Sequence, residues 1–361
     1  MKSNLLTLCL IISVVLAACS SNDGPQQDID TTVKAFAKGA DLSWVTEMEA
    51  DGQRFYNEAG EETDCFTLMK DLGMNAIRLR VWVNPDDTYG PYCNIEDVTA
   101  KAVRAQEAGL DLMIDFHYSD FFADPGKQTK PDGWKDKNMD ELKSAVAAHT
   151  SDVLKALKEN GIAPKWVQIG NETRNGMLWP SGQLWTEKGD IPDGWTNYVS
   201  LSNAGYDAAK SIFKDAIVLI HLNNAWEDSD WWFSKFINSG GKFDMIGLSH
   251  YPQSESGKTW QDINKMALDN IRILAAKYRR DIMICEIGVK TYLNQDTAAQ
   301  ALEEFMKEAG KIDRCSGVFY WEPQTNSTWK PAYYKTLNWH AYDMGAFTPD
   351  NRPSKVLSSF K

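Results

Sequence analysis

Apolar residues recur along this chain in two alternating rhythms: short unbroken runs, and longer stretches with the spacing of a helix face. The clearest run is Lys165-Trp166-Val167-Gln168-Ile169-Gly170-Asn171-Glu172, preceded by Gly161 and Pro164. It predicts a buried strand that delivers an amide and a carboxylic acid where it stops. Asp281-Ile282-Met283-Ile284-Cys285-Glu286-Ile287-Gly288 repeats the form and again ends on a glutamate. Residues 75–85 alternate instead, and a period of two places Arg78, Arg80 and Trp82 on one inward face. Further runs at 37–44, 110–117, 216–222, 243–252 and 317–323 bring the strand signals to eight. Helical spacing occupies 63–73, 94–109, 138–161, 196–213, 259–278 and 296–310, and Pro353 is placed as the first-turn residue of a last helix. Alternation of this kind predicts an α/β fold, a (β/α)8 TIM barrel in a single domain.

In such a barrel the site lies at the C-terminal ends of the strands, so Glu172 and Glu286 face one cleft. A lone glutamate at a strand end is ordinarily a cap or a solvated loop residue. Two of them on strands of one barrel have the form of the carboxylate pair that flanks a sugar bond in a glycosidase. The loop after the third strand, Tyr118 to Trp134, mixes aromatics with carboxylates, as a sugar cleft requires. Of the two inward arginines, Arg78 reads as a structural ion pair inside the barrel and Arg80, nearer the top, as part of the site.

Composition narrows this further. The 361 residues suffice for one barrel with no second domain. A formal net charge of -12 argues against nucleic acid as a partner, since phosphate binding needs clustered cations. The 14 tryptophans, 13 tyrosines and 14 phenylalanines divide between core and rings that stack on sugar faces. Lys2 and the apolar run Leu5 to Ala18 have the form of a secretory signal, too short to span a bilayer. Leu16-Ala17-Ala18-Cys19 resembles a bacterial lipobox, which makes 1–18 a signal peptide, Cys19 the lipidated residue, 19–35 a tether and 36–361 the catalytic domain. Ser20 after the cysteine points to the outer membrane; the cell surface is the expected face, with the periplasm as the alternative. The membrane is touched through the lipid only, and a monomer is expected. Cys65 and Cys93 fall near the starts of successive helices, and export permits a disulfide there, so a bridge and two separate thiols both remain open. Cys285 and Cys315 are expected as separate buried thiols. No Cys/His cluster has zinc spacing, and no metal site is expected.

Gly39-Ala40-Asp41-Leu42-Ser43, Arg78-Leu79-Arg80-Val81-Trp82, Asp115-Phe116-His117-Tyr118-Ser119-Asp120, Gln168-Ile169-Gly170-Asn171-Glu172 and His250-Tyr251-Pro252 together resemble the endo-β-1,4-galactanases of glycoside hydrolase family 53. The resemblance spans nearly the whole chain after the tether. It implies a retaining hydrolase that acts within β-1,4-galactan, as in type I arabinogalactan and pectin side chains, with Glu172 as general acid/base and Glu286 as nucleophile. Asn171 would bind the 2-hydroxyl, Arg80 and Tyr251 would orient the nucleophile, and Trp321 would floor the cleaved position. Asp120, Ser119 and Trp179 are the candidates for recognising the axial 4-hydroxyl of galactose. Asp115, His117, Tyr118, Phe121, His221, Asn224 and His250 complete the expected substrate-binding set. The Phe121-Phe122 pair departs mildly from relatives whose aromatic pair includes tryptophan. Several bacterial members carry a calcium segment rich in Asp and His after the seventh strand; here Ile287 to Tyr292 runs almost straight into the next helix. No cofactor is therefore required, and structural calcium lacks its usual segment. A glycan-binding barrel that has lost catalysis is the rival from another class, and a β-mannanase or β-glucanase the rival from the same one.

Overall fold

The structure is a computed structural model that describes residues 35–85, 90–253, 257–291 and 294–361. The expected signal segment and Cys19 lie outside the described residues. Eight parallel strands close on themselves: β1 (Ala37–Asp41), β2 (Ala76–Val81), β3 (Asp111–Phe116), β4 (Trp166–Ile169), β5 (Ile217–Leu222), β6 (Met245–His250), β7 (Asp281–Ile287) and β8 (Cys315–Trp321), with β8 paired to β1. Around them run α1 (Val45–Ala50), α2 (Cys65–Asp71), α3 (Ile95–Glu107), α4 (Met139–Glu159), α5 (Gly194–Ile212), α6 (Asp230–Asn238), α7 (Trp260–Tyr278), α8 (Gln295–Ala309) and α9 (Ala332–Thr336). This is the (β/α)8 barrel that the hydrophobic pattern predicts. Helix starts follow local chemistry: Asn138 with Glu141, and Thr259 with Asp262, each form a reciprocal cap. Helix α6 was not anticipated; Trp232, Phe233 and Phe236 are buried on its inner face. The residues after Pro353 form a 3₁₀ turn, Lys355–Phe360, in place of the expected α-helix.

Alternation along each strand sorts the side chains into two cores. Outward residues such as Ile77, Leu79, Ile114, Val167, Ile220 and Leu248 pack under the helices. Inward ones, including Met113, Trp166, Leu219, Met245, Met283 and Phe319, plug the lower interior. Gly39 permits that plug, since a Cβ there would lie 2.2 Å from the Phe319 ring. One step higher the inward positions turn polar and remain buried: Asp41, Arg78, Asp115, Gln168, His221 and Ser249.

Strand β7 breaks the alternation where it counts. Leu248 pairs with Ile284 but Ser249 pairs with Glu286, so Cys285 is an extra residue. Strict alternation would send Glu286 outward with Ile282 and Ile284; the bulge turns it into the barrel. The bridge between Cys65 and Cys93 does not form: both are free and buried. Cys65 packs in the core at the start of α2, whereas the Cys93 thiol turns inward to the Ser43 carbonyl at 3.8 Å. Cys285 and Cys315 are separate buried thiols as expected.

Candidate active site

Arg78 is the hub of the polar layer. Its guanidinium donates to Asp41 (2.8 Å), Asp115 (2.8 Å), the Asn171 side-chain oxygen (2.9 Å) and Glu286 Oε1 (3.0 Å), while its Nε reaches Gln168 at 3.2 Å. Burial opposes its charge, but Asp115, Glu286 and Asp41 more than offset this and hold its pKa well above the usual value. The other oxygen of Glu286 accepts the Tyr251 hydroxyl at 2.8 Å. Burial raises the Glu286 pKa, and Arg78 and Tyr251 pull against that rise.

Glu172 stands at the end of β4 in a left-handed conformation, φ 49°. Among the described residues no arginine is hydrogen-bonded to its carboxyl. Its Oε1 accepts the Ser249 hydroxyl at 2.7 Å. The Ser249 oxygen is 2.8 Å from His221 Nε2, and His221 Nδ1 accepts the Glu172 backbone N–H at 3.3 Å. Those contacts place the imidazole proton on Nε2. Burial and the Arg78 charge hold His221 well below its usual pKa, so it is neutral. Burial, reinforced by the charge of Glu286, pushes the Glu172 carboxyl up to about 8. One carboxylate is therefore matched to a cation and the other is not, which is how an environment separates a proton donor from a nucleophile.

The cleft above them is lined by His117, Phe122, Ala123, Asp124, Lys127, Asn171, Glu172, Tyr251, Glu286, Trp321, Tyr333, Tyr334 and Trp339. Six residues of the expected set are thus on its walls: Glu172, Glu286, His117, Asn171, Tyr251 and Trp321. Asp115 and His221 lie behind them, Asp115 accepting from His117 Nε2 at 2.9 Å. Phe121 stands beside Tyr333, ring centroids 3.9 Å apart.

Several expected residues belong elsewhere. Arg80 pairs with Glu322, not with Glu286; the contact to Glu286 is made by Arg78. Tyr118 continues the outward parity of β3 and bonds Thr150 of α4 at 2.7 Å. His250 faces outward too, 2.8 Å from Asn264 of α7 and stacked on Phe305. Asp120 joins two loops, accepting the backbone N–H groups of Asn84 (2.9 Å) and Asp132 (2.8 Å). Ser119 is buried, and its carbonyl accepts from Val83 at 2.9 Å. The Trp179 indole donates to the Asn175 carbonyl at 2.8 Å, and the Asn224 amide to Glu227 at 2.8 Å. Sequence reasoning missed the contact of Arg78 with Glu286, the bond from Ser249 to Glu172, and the wall formed by Lys127, Tyr333, Tyr334 and Trp339. The inward parity of Ser249 was a usable signal; the residues after β8 have no periodicity that points to a cleft.

Among the described residues no group of three His, Cys, Asp or Glu is arranged to hold a metal ion. After β7, Lys290 lies 3.6 Å from Asp343 and the Thr291 hydroxyl donates to the Gly345 carbonyl at 3.0 Å. An ammonium where calcium would need carboxylates does not fit that ion. Among the described residues, no helix is long and apolar enough to cross a membrane.

A closed parallel barrel whose strand ends present one serine-bound and one arginine-bound glutamate in a common aromatic cleft defines a barrel glycosidase. The family model for glycosyl hydrolase family 53 matches residues 37–361, and the chain belongs to that family. It is 31% identical to an arabinogalactan endo-β-1,4-galactanase of Cellvibrio japonicus, across 97% of this chain and 95% of that one. Among solved structures it resembles the GH53 catalytic domain of Ignisphaera aggregans (TM-score 0.77, 29% identity, 92% of this chain and 97% of that one). It also resembles a structure from a study of two fungal β-1,4-galactanases (TM-score 0.76, 28% identity, 90% and 99%).

Proposed function

We propose that the protein hydrolyses β-1,4-galactosidic bonds within galactan and the galactan of type I arabinogalactan, with retention of configuration. The observation that carries this is the unequal treatment of the two glutamates. Glu286, held by Arg78 and Tyr251, attacks the anomeric carbon as a carboxylate. Glu172, protonated below about pH 8, gives its proton to the departing glycosidic oxygen as the bond breaks. The product of this step is a galactosyl ester of Glu286. Water then attacks the same carbon, passes a proton back to Glu172 and releases Glu286. Asn171, fixed by Arg78 and by the Ala123 carbonyl (2.9 Å), presents its amide beside the 2-hydroxyl, and Trp321 floors the sugar being cleaved. Both steps are complete with protein groups and water, so no cofactor enters. The relative from Cellvibrio japonicus, an arabinogalactan endo-β-1,4-galactanase, supports galactan as the polymer.

The Leu16 to Cys19 motif supports a lipoprotein, and Ser20 after it an outer-membrane one, which we place at the cell surface as a monomer. Cys19→Ala should move the protein from the membrane to the soluble fraction, and protease added to intact cells should reach the anchored form; protection would place it on the periplasmic face.

Reducing-end release from linear β-1,4-galactan, set beside mannan, xylan and β-glucan, tests the catalytic reading. Short oligosaccharides from galactan alone are expected. Release from another backbone would overturn the substrate, and binding without release from any would overturn catalysis.

A further inference from the structure

Trp231 is 44% exposed, a large ring in water that folding itself does not reward. It belongs to the first turn of α6, on the same barrel end as the cleft. Its ring centroid lies 6.0 Å from that of Trp185, which comes from a short hairpin between β4 and α5, and the two planes are tilted by 53°. Both are hung from one place. Asn175 accepts the Trp185 backbone N–H at 2.9 Å and donates to its carbonyl at 3.1 Å; the Arg174 carbonyl accepts the indole N–H of Trp232, the neighbour of Trp231, at 2.7 Å. Arg174 and Asn175 belong to the turn that directly follows Glu172.

We propose that Trp185 and Trp231 form a stacking platform for the leaving-group side of a β-1,4-linked galactan chain, beyond Glu172. The proposal rests on the galactanase reading above. Glu172 protonates the departing oxygen, so the departing sugars extend over the β4 and β5 loops that carry the pair, away from the β8 loop and Trp321. A pyranose offers a face of C–H groups to an indole and a rim of hydroxyls to polar neighbours. Here the rim is supplied by Asp190, the cross-strand partner of Trp185, and Lys235, one helical turn beyond Trp231, whose charged ends are 3.4 Å apart. Charge so close to the rings suits a sugar better than a dry protein interface. The tilt fits as well, because the axial 4-linkage of galactan coils the chain and turns successive sugar faces, whereas a flat ribbon asks for coplanar rings. Trp232 stacks on Phe236 at 5.2 Å and 13°, so the turn that presents Trp231 is rigid before ligand arrives and little ordering is required on binding.

Trp231→Ala, Trp185→Ala and the double variant test this by initial rates on linear β-1,4-galactan and on β-1,4-galactotriose. For the double variant KM on the polymer should rise about tenfold with kcat unchanged, triose hydrolysis should not change, and Trp231→Phe should keep most of the polymer affinity. Unchanged kinetics on both substrates would overturn the platform. So would equal losses on both, which would make the tryptophans supports of the turn under Glu172. Dimers dissolved by Trp231→Ala with polymer kinetics intact would assign the patch to a second copy. If the unaltered protein releases nothing from galactan, the galactanase reading fails and the platform falls with it, a result distinct from any change confined to the variants.

Discussion

Arg78 and Arg80 stand two residues apart on the same face of β2, and each is 1% exposed and paired with a carboxylate, yet they do different work. Arg78 meets three carboxylates and two amides, and one of those carboxylates is Glu286. Among the described residues Arg80 is ion-paired with Glu322 alone, and its Nε and Nη2 have no hydrogen-bond acceptor. What surrounds them is aromatic: the guanidinium carbon lies 5.2 Å from the ring centre of Trp44, 5.3 Å from Trp82 and 4.6 Å from Phe122. Arg80 thus fixes rings under the cleft floor, since Trp44 packs against Trp321 at 5.1 Å. A buried arginine takes its role from what the neighbouring strands place opposite it. At one height β1, β3 and β7 supply carboxylates that include a reacting group; one step up, loops supply indoles.

Removing the carboxylate that each arginine serves gives the largest contrast. Glu286→Ala should lower kcat on galactan by about 10⁴-fold or more while galactan binding persists. Glu322→Gln should keep kcat within about tenfold, because its partner touches no reacting atom. Residual turnover by Glu286→Ala within a factor of ten would remove the basis for the distinction.

Exchanging the arginines themselves comes next. Arg78→Lys replaces a planar fork with a point charge that cannot satisfy Asp41, Asp115, Asn171 and Glu286 together. A loss of about 10²–10³-fold in kcat is expected. Lysine keeps the charge but cannot hold it against Glu286 as the guanidinium does, so the pKa of Glu286 rises and the acid limb of the pH–rate profile should move to higher pH. Arg80→Lys should leave that limb in place. Matching profiles for the two variants would mean that the strand position, not the carboxylate opposite, sets the role.

The alternation of β2 announced both arginines as inward, and eight apolar runs announced the barrel, because both rest on local periodicity. Which arginine would meet Glu286 was not local. It depends on β7, and there a single extra residue, Cys285, reverses the parity of the glutamate. Tyr118 and His250 are instructive in the other direction. Their outward parity was readable from β3 and β6, but membership of a family motif was taken as membership of the cleft. The wall of Tyr333, Tyr334 and Trp339 comes from a long irregular connection after β8, where placement depends on packing that no period encodes.

Stability separates the arginines a third way. Arg80→Met strands Glu322 in the core, and a cost of about 3 kcal/mol is expected, readable by denaturant unfolding. Glu322 already titrates at about 7 through burial, offset in part by Arg80. Without the arginine its folded pKa rises further above the unfolded value. The folded state then binds the extra proton, so the penalty should be small near pH 5 and grow as pH climbs toward 8. Adding Glu322→Gln should recover part of the loss and flatten the pH dependence; a penalty of equal size at both pH values would show that lost ring contacts, not the stranded charge, dominate.

The smallest stability effect concerns Glu172, the glutamate of the cleft that is not ion-paired with an arginine among the described residues. Glu172 has a folded pKa near 8 against an unfolded value near 4.5, a carboxyl raised by folding. Its contribution is therefore fully favourable below about pH 4.5 and is lost as pH rises through 8, where the native state holds an ionised carboxylate beside Glu286. Glu172→Gln removes that charge and keeps an acceptor for Ser249. The variant should be nearly inactive on galactan. It should also be more stable than the unaltered protein by about 1–3 kcal/mol at pH 8, and by much less at pH 5. The alkaline limb of the wild-type rate profile should fall in the same pH range, since the proton that destabilises on leaving is the one the departing oxygen needs. Equal stability gains at pH 5 and pH 8 would dissociate the two and locate the alkaline limb in another group.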